Sequence, residues 1–211
     1  MARTNISILL SPAAVSSTDL NRDADEVTWS VTPQYTIDDT TMVFLAVAHG
    51  FKSGGFNTGF GALPIADREF DDEDIMHYEA GIKSDLLNDR LRLSAGVFYT
   101  EYQDYHDAAH VGARFTVGNA EKAELQGVEL EGTALLTEIL TADFAVSYAD
   151  FEYAKNTAGQ CYPGRAPDSP TDPGACDLSG EHPVNAPEWK SHLGLTYEHD
   201  VSWGDVYARV D

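Results

Sequence analysis

Apolar and polar residues alternate along this chain in short runs, most cleanly from Gly127 to Tyr153. There Leu140, Ala142, Phe144, Val146 and Tyr148 form one series, and Thr141, Asp143, Ala145, Ser147 and Ala149 form the other. A period of two puts the two series on opposite faces of a β-strand. The arm before it carries Glu129 and Glu131 opposite Val128 and Leu130, so the segment reads as a hairpin turning near Thr137–Ile139. Acids in mid-strand predict a face that sees water. The other face then needs a second sheet or lipid, and about ten residues is also the length of a strand that crosses a bilayer at a tilt.

The same pattern predicts further strands. Val27, Trp29, Val31 and Tyr35 alternate with polar residues, although Pro33 weakens that run because it cannot donate to a ladder. Thr41–His49, Ile75–Leu86, Leu91–Thr100, Trp189–Glu198 and Val206–Val210 follow, with one more candidate at Asn5–Leu10. Short turns at 37–40, 87–90, 137–139 and 199–204 alternate with long loops at 50–74, 106–116 and 154–187. In an up-and-down antiparallel sheet this puts every short turn at one end and every long loop at the other. Outer-membrane barrels show that asymmetry, whereas Greek-key sandwiches have little reason to keep it. The expected fold is all-β, a partial transmembrane barrel of about eight strands.

Composition narrows the reading. With 13 Lys and Arg against 35 Asp and Glu, the formal charge is −22, which argues against nucleic acid as a partner. The 43% hydrophobic content argues against disorder. No run of about 20 apolar residues exists to form a membrane-spanning helix, but barrel strands hide their hydrophobicity in alternation. The first twenty residues lack the apolar core of a signal peptide, so the chain is expected to be either cytosolic or an internal piece of a secreted protein.

Cys161 and Cys176 flank a Pro- and Gly-rich segment. A bridge between them is the favoured reading and points to an oxidising compartment. Zinc is disfavoured because no histidine nearby has finger-like spacing.

The remaining candidate chemistry reads as structural. Gly50–Gly55 superficially resembles a phosphate-binding loop, but its Lys52 precedes the glycine pair and no helix follows. It is read as a backbone kink with glycine supplying an unusual φ. Asp71–Asp74 offers carboxylates to Ca²⁺ without the EF-hand spacing, so a solvated acidic loop is expected. His106 and His110, with Asp104 and Asp107, are candidates for a metal or iron-chelate contact, weighed against ordinary surface histidines in a polar loop. Glu129 and Glu131 are spaced for paired-carboxylate chemistry, but a water-filled lumen explains them more simply. Lys83, Arg92 and Asp143 are expected to share that lumen, with Lys83 and Arg92 positioned to pair with the acids across strands. No catalytic constellation or cofactor site is read.

Four segments carry a family resemblance. They are HGFKSGGFN (His49–Asn57), YEAGIKSDLLNDRLRLSAGVFYTEYQDY (Tyr78–Tyr105), NAEKAELQGVELEG (Asn119–Gly132) and NAPEWKSHLGLTYE (Asn185–Glu198). Their order and content resemble TonB-dependent receptors over residues 27–211. The resemblance implies a 22-stranded outer-membrane barrel enclosing a plug. It also implies capture of a ferric siderophore or another bulky nutrient by extracellular loops, and uptake driven by TonB–ExbB–ExbD. This chain shows neither a plug nor a TonB-box region, and it ends in mid-strand. It is therefore expected to be a piece of the C-terminal half of the barrel, coupled to TonB only through a plug outside it and contacting outer-membrane lipid. Two alternatives stay open: a small complete outer-membrane barrel with a structural or adhesive role, and a soluble glycan-binding β-sandwich.

Overall fold

The computed structural model describes residues 2–7, 19–57, 68–111, 114–162, 164–168 and 174–211. It contains fifteen strands: β1 Ala2–Ser7, β2 Asp19–Ala24, β3 Trp29–Val31, β4 Gln34–Asp38, β5 Thr41–Lys52, β6 Gly55–Phe56, β7 Glu69–Phe70, β8 Glu73–Leu86, β9 Leu91–Val111, β10 Arg114–Leu135, β11 Leu140–Lys155, β12 Gly159–Gln160, β13 Ala175–Cys176, β14 Trp189–Val201 and β15 Gly204–Val210. No described residue is helical. The principal sheet has nine strands in the order β15-β14-β11-β10-β9-β8-β5-β3, with β4 also on β5, and every pairing is antiparallel. Neighbours in space are neighbours in sequence, so the meander read from the turn rhythm is the observed topology.

Register turns alternation into two faces. One cross-strand row runs Leu45–Ala80–Val97–Val128–Tyr148–Trp189, and the next on the same face runs Val43–Ile82–Ala95–Leu130–Val146–Ser191. Between them on the opposite face lies Phe44–Gly81–Gly96–Glu129–Ser147–Lys190. The apolar face has no second layer among the described residues. Leu45 is 57% exposed and Val128 49%. A sandwich would have covered these side chains with a partner sheet.

Glycine and phenylalanine fit across strands on the polar face. A Cβ on Gly81 would stand 2.5 Å from the Phe44 ring, and one on Gly127 would stand 2.7 Å from the Phe98 ring. Each ring therefore lies flat over bare backbone, where a side chain would collide with it.

Several expected boundaries move. Pro33 does split its run, leaving β3 and β4 on either side, with Leu45 donating to the Pro33 carbonyl. The loop expected at Gly50–Asp74 contains the end of β5, the small β6–β7 hairpin and the start of β8. The loop expected at His106–Thr116 is mostly strand, because β9 reaches Val111 and β10 starts at Arg114. The last turn is tighter than 199–204, since β14 reaches Val201 and β15 starts at Gly204. At the N-terminus, β1 covers Ala2–Ser7 and pairs with β2, which the alternation did not indicate. Residues 8–10 of the candidate strand at Asn5–Leu10 lie outside the described residues. Gly50, Gly54 and Gly55 are not in the left-handed region, contrary to the expected kink. Gly54 is required for close approach instead, because a Cβ there would lie 2.2 Å from the Phe70 carbonyl oxygen.

Candidate functional site

The polar face and the long-loop end of the sheet are the two candidate functional regions. On the face, register brings Lys83, Ser94, Glu131, Ala145 and His192 into one row, and Asp85, Arg92, Thr133, Asp143 and Gly194 into the next. All five residues expected to line a lumen (Lys83, Arg92, Glu129, Glu131, Asp143) thus share one side of the sheet. A cleft of about 720 Å³ opens on it, with Lys83, Arg92, Glu131, Asp143 and His192 in its wall.

The pairing expected between bases and glutamates does not occur. Arg92 donates from Nε to Asp85 Oδ1 at 2.7 Å, because Asp85 is its directly opposed partner. The Lys83 ammonium lies 5.6 Å from the centre of the Phe44 ring, and Ser94 separates it from Glu131. Glu129 and Glu131 have no ion-pair partner among the described residues. Asp143 is instead the centre of a network. Arg209 grips it with both terminal nitrogens, at 2.8 and 3.0 Å, and His192 Nε2 lies 2.8 Å from Oδ2. Asp143, His192 and Asp211 bring ligand atoms within 4.8 Å of one another, but the Arg209 guanidinium bonds both carboxylates and supplies the cation.

At the long-loop end, β9 and β10 run for 21 and 22 residues, about twice what a tilted bilayer crossing needs. This rim builds a core of its own. Ala120, Ala123, Tyr153, Cys176 and Leu178 are buried, with Tyr102, Tyr105, Phe151, Cys161 and Tyr162 packed against them. Tyr105 meets Phe151 edge-on at 5.4 Å, and Tyr102 lies 5.7 Å from the same ring. Burial, then the neighbouring Asp107 carboxylate, pushes the Tyr153 hydroxyl well above the ordinary phenol range. Cys161 and Cys176 are joined by a disulfide with Cα atoms 5.0 Å apart. It closes a cap that Arg165 ties down through Glu181, Asp168 and the Asp177 carbonyl.

A second piece of the rim is the β6–β7 strap. Arg22 of β2 reaches Glu69 at 2.7 Å and Asp72 at 3.1 Å. Asp72 also accepts from the Gly54 amide at 2.6 Å. Burial opposes ionisation of Asp72, but the Gly54 amide and Arg22 outweigh it and hold its carboxyl below the usual range. Glu73 is buried and accepts the His106 amide at 2.6 Å. Two asparagines imitate backbone: Asn57 exchanges a pair of 2.8 Å bonds with Val117, and Asn119 bonds both the amide and the carbonyl of Asp71.

The acidic run is therefore fastening rather than a solvated loop. His106 is a buried strand residue rather than a surface one: its Nε2 lies 2.7 Å from the Asp71 carbonyl and its ring is edge-on to Phe70. No metal-ligand set forms around it among the described residues, and the His110 side chain lies outside them. Sequence reading missed the aromatic core, whose signal was the tyrosine spacing in EYQDY and DFEY.

A two-faced meander with every short turn at one end matches a known barrel domain. The family model "TonB dependent receptor-like, beta-barrel" matches residues 9–211. The chain belongs to the TonB-dependent receptor β-barrel family. Family membership places the sheet in an outer-membrane barrel.

Among solved structures, the chain is similar to the ferric yersiniabactin uptake receptor FyuA from Yersinia pestis, with a TM-score of 0.67 and 20% identity over 92% of this chain and 26% of that one. It is also similar to the siderophore receptor PiuA from Acinetobacter baumannii, with a TM-score of 0.64 and 22% identity over 89% of this chain and 26% of PiuA. In sequence it is 34% identical over 98 residues to the metal-pseudopaline receptor CntO of Pseudomonas aeruginosa, which is 46% of this chain and 13% of CntO. The chain thus spans about a quarter or less of the length of these relatives.

Proposed function

We propose that residues 1–211 form part of the barrel domain of an active outer-membrane receptor that takes up a ferric siderophore or another bulky metal chelate. The observation that carries this reading is the asymmetric sheet. Its wall is apolar on one face and charged on the other, and its strands overshoot at one end into a structured rim. The rim is extracellular in this reading and meets the cargo, while the charged face lines the path. β15 and β3 are edge strands, and open edges inside a bilayer need further strands to satisfy their backbone groups. The rest of the barrel and a plug belong to the same receptor, and energy comes from TonB–ExbB–ExbD acting on that plug. The named activities of FyuA, PiuA and CntO support metal-chelate cargo. In this reading the charged groups bind and guide, and none performs catalysis.

The test is uptake by the full receptor. Iron-starved cells that express it should accumulate a radiolabelled ferric chelate in a TonB-dependent manner. Equal accumulation in cells lacking TonB, across a panel of chelates, would contradict the reading.

A further inference from the structure

His49 lies on the outward face of β5, where its cross-strand row continues through Met76, Glu101, Glu124 and Glu152. Three glutamates facing outward at this level put the row beyond the hydrocarbon, on the rim. The His49 side chain is only 12% exposed and makes two hydrogen bonds. Nδ1 lies 2.9 Å from the Val27 carbonyl oxygen, and Nε2 lies 2.6 Å from Asp74 Oδ2. Both partners are acceptors: a main-chain carbonyl has no proton to give, and neither has an ionised carboxylate. A neutral imidazole carries one N–H and satisfies one of them, whereas the imidazolium satisfies both. Trp29 stacks beside the ring at 6.2 Å and 26°, a contact that also favours a cation.

We infer that His49 is a protonation-controlled clasp that holds the rim together. Its charged ring joins the segment leading into the edge strand β3, through Val27, to the start of β8, through Asp74. Both ends bear on the strap. Asp74 directly follows Asp72 and Glu73, which fasten the strap to Arg22 and His106. Val27 follows the β1–β2 hairpin that supplies Arg22. Loss of the proton leaves two acceptors competing for one N–H, and the side-chain bridge between the two anchors is broken while the ladder pairing of β3 and β8 to β5 remains.

The groups facing His49 are Asp74 of β8, Glu26 of the segment before β3 and, further along the same face, Glu101 of β9, which is paired with Lys122 at 2.7 Å. The two that act on the ring, Asp74 and Glu26, are acidic. Lys52 and His77 point to the other face by register. The Asp74 bond first, then the Val27 carbonyl, raises the His49 pKa above the ordinary histidine value. A raised folded pKa means that the clasp is complete below about 6.5, the unfolded value, and is lost as pH rises through the folded value. The inference rests on the proposed placement of this rim in water outside the membrane, not on the cargo.

The test uses the full receptor in lipid nanodiscs. Hydrogen exchange corrected for intrinsic rates is followed over residues 22–31 and 68–76 from pH 6 to 9. Protection in both segments should fall as pH rises through that range. In His49→Gln it should start low and stay flat. The same pH dependence in the variant would overturn the clasp. If His49→Gln does not assemble, ring NMR of labelled histidine in the wild type decides. A His49 midpoint above the ordinary histidine value, lowered by Asp74→Asn, supports the clasp, and a midpoint at or below that value overturns it. Chelate uptake is not read in either experiment, so failure of the clasp is separable from failure of the transport reading.

Discussion

In the wall of the sheet, Val97 and Val128 pair across strands and are each about half exposed. A few residues along β10, Ala120 and Ala123 are almost completely buried under Tyr153 and Leu178. In the proposed placement the wall needs no core of its own, because lipid covers one face and water the other, and hydrogen-bonded pairing satisfies the backbone. In the same placement the rim has water on both sides. It must bury aromatic rings, close a disulfide and spend asparagine side chains on imitating strands. The lesson is that one pair of strands follows two stability rules, and the rule changes where the bilayer ends.

The sharpest way to break this comparison is to put a charge on the lipid face. Leu130→Arg should destabilise the folded barrel by about 2–4 kcal/mol, the cost of arginine near the midplane. Glu131→Gln, one residue along on the other face, should have almost no effect. Urea titrations of the refolded receptor in lipid vesicles check both. Equal effects would erase the distinction between the faces.

The next largest effect belongs to the rim. Cys161→Ser removes a cross-link that closes a loop of about 15 residues, worth about 3 kcal/mol in the chain-entropy model. The loss should be local. Hydrogen exchange over residues 156–186 should rise by orders of magnitude while β10 and β11 in the wall stay protected. A global loss would mean that rim and wall fold as one unit.

Smaller again is Asn57→Ala, which removes two bonds to Val117 and should cost about 1–3 kcal/mol of strap stability. Amide exchange at Val117 reads it directly, with the wall as internal control.

The smallest effect is titration of the strap. Asp72 has a lowered carboxyl pKa, so its contribution is present above the ordinary aspartate value and is lost as pH falls through the folded value. Exchange at the Gly54 amide should therefore accelerate only in strongly acidic buffer. In Asp72→Asn that acid-induced step should be absent.

The wall was legible in the sequence because its physics is periodic. Solvent differs between the two faces, so Leu130 and Glu131 declare their sides by chemistry alone. The shared face of Lys83, Arg92, Glu129, Glu131 and Asp143 followed from the same alternation. Their partners did not, since pairing depends on register, and register sets Asp85 rather than a glutamate opposite Arg92. The rim was mostly hidden. Beyond Thr100 the residues of β9 do not alternate cleanly between apolar and polar, so the far end of a long paired hairpin looked like a loop. The burial of Glu73 and His106 depends on contacts between segments more than 30 residues apart.

The orientation of the two faces is the claim on which the rest depends. Single cysteines at 128, 129, 130, 131, 145 and 146 in the full receptor, probed in intact outer membranes with a water-soluble maleimide, test it directly. Positions 129, 131 and 145 should react, and positions 128, 130 and 146 should stay protected until detergent is added. Uniform reactivity, or the reverse alternation, would contradict the account.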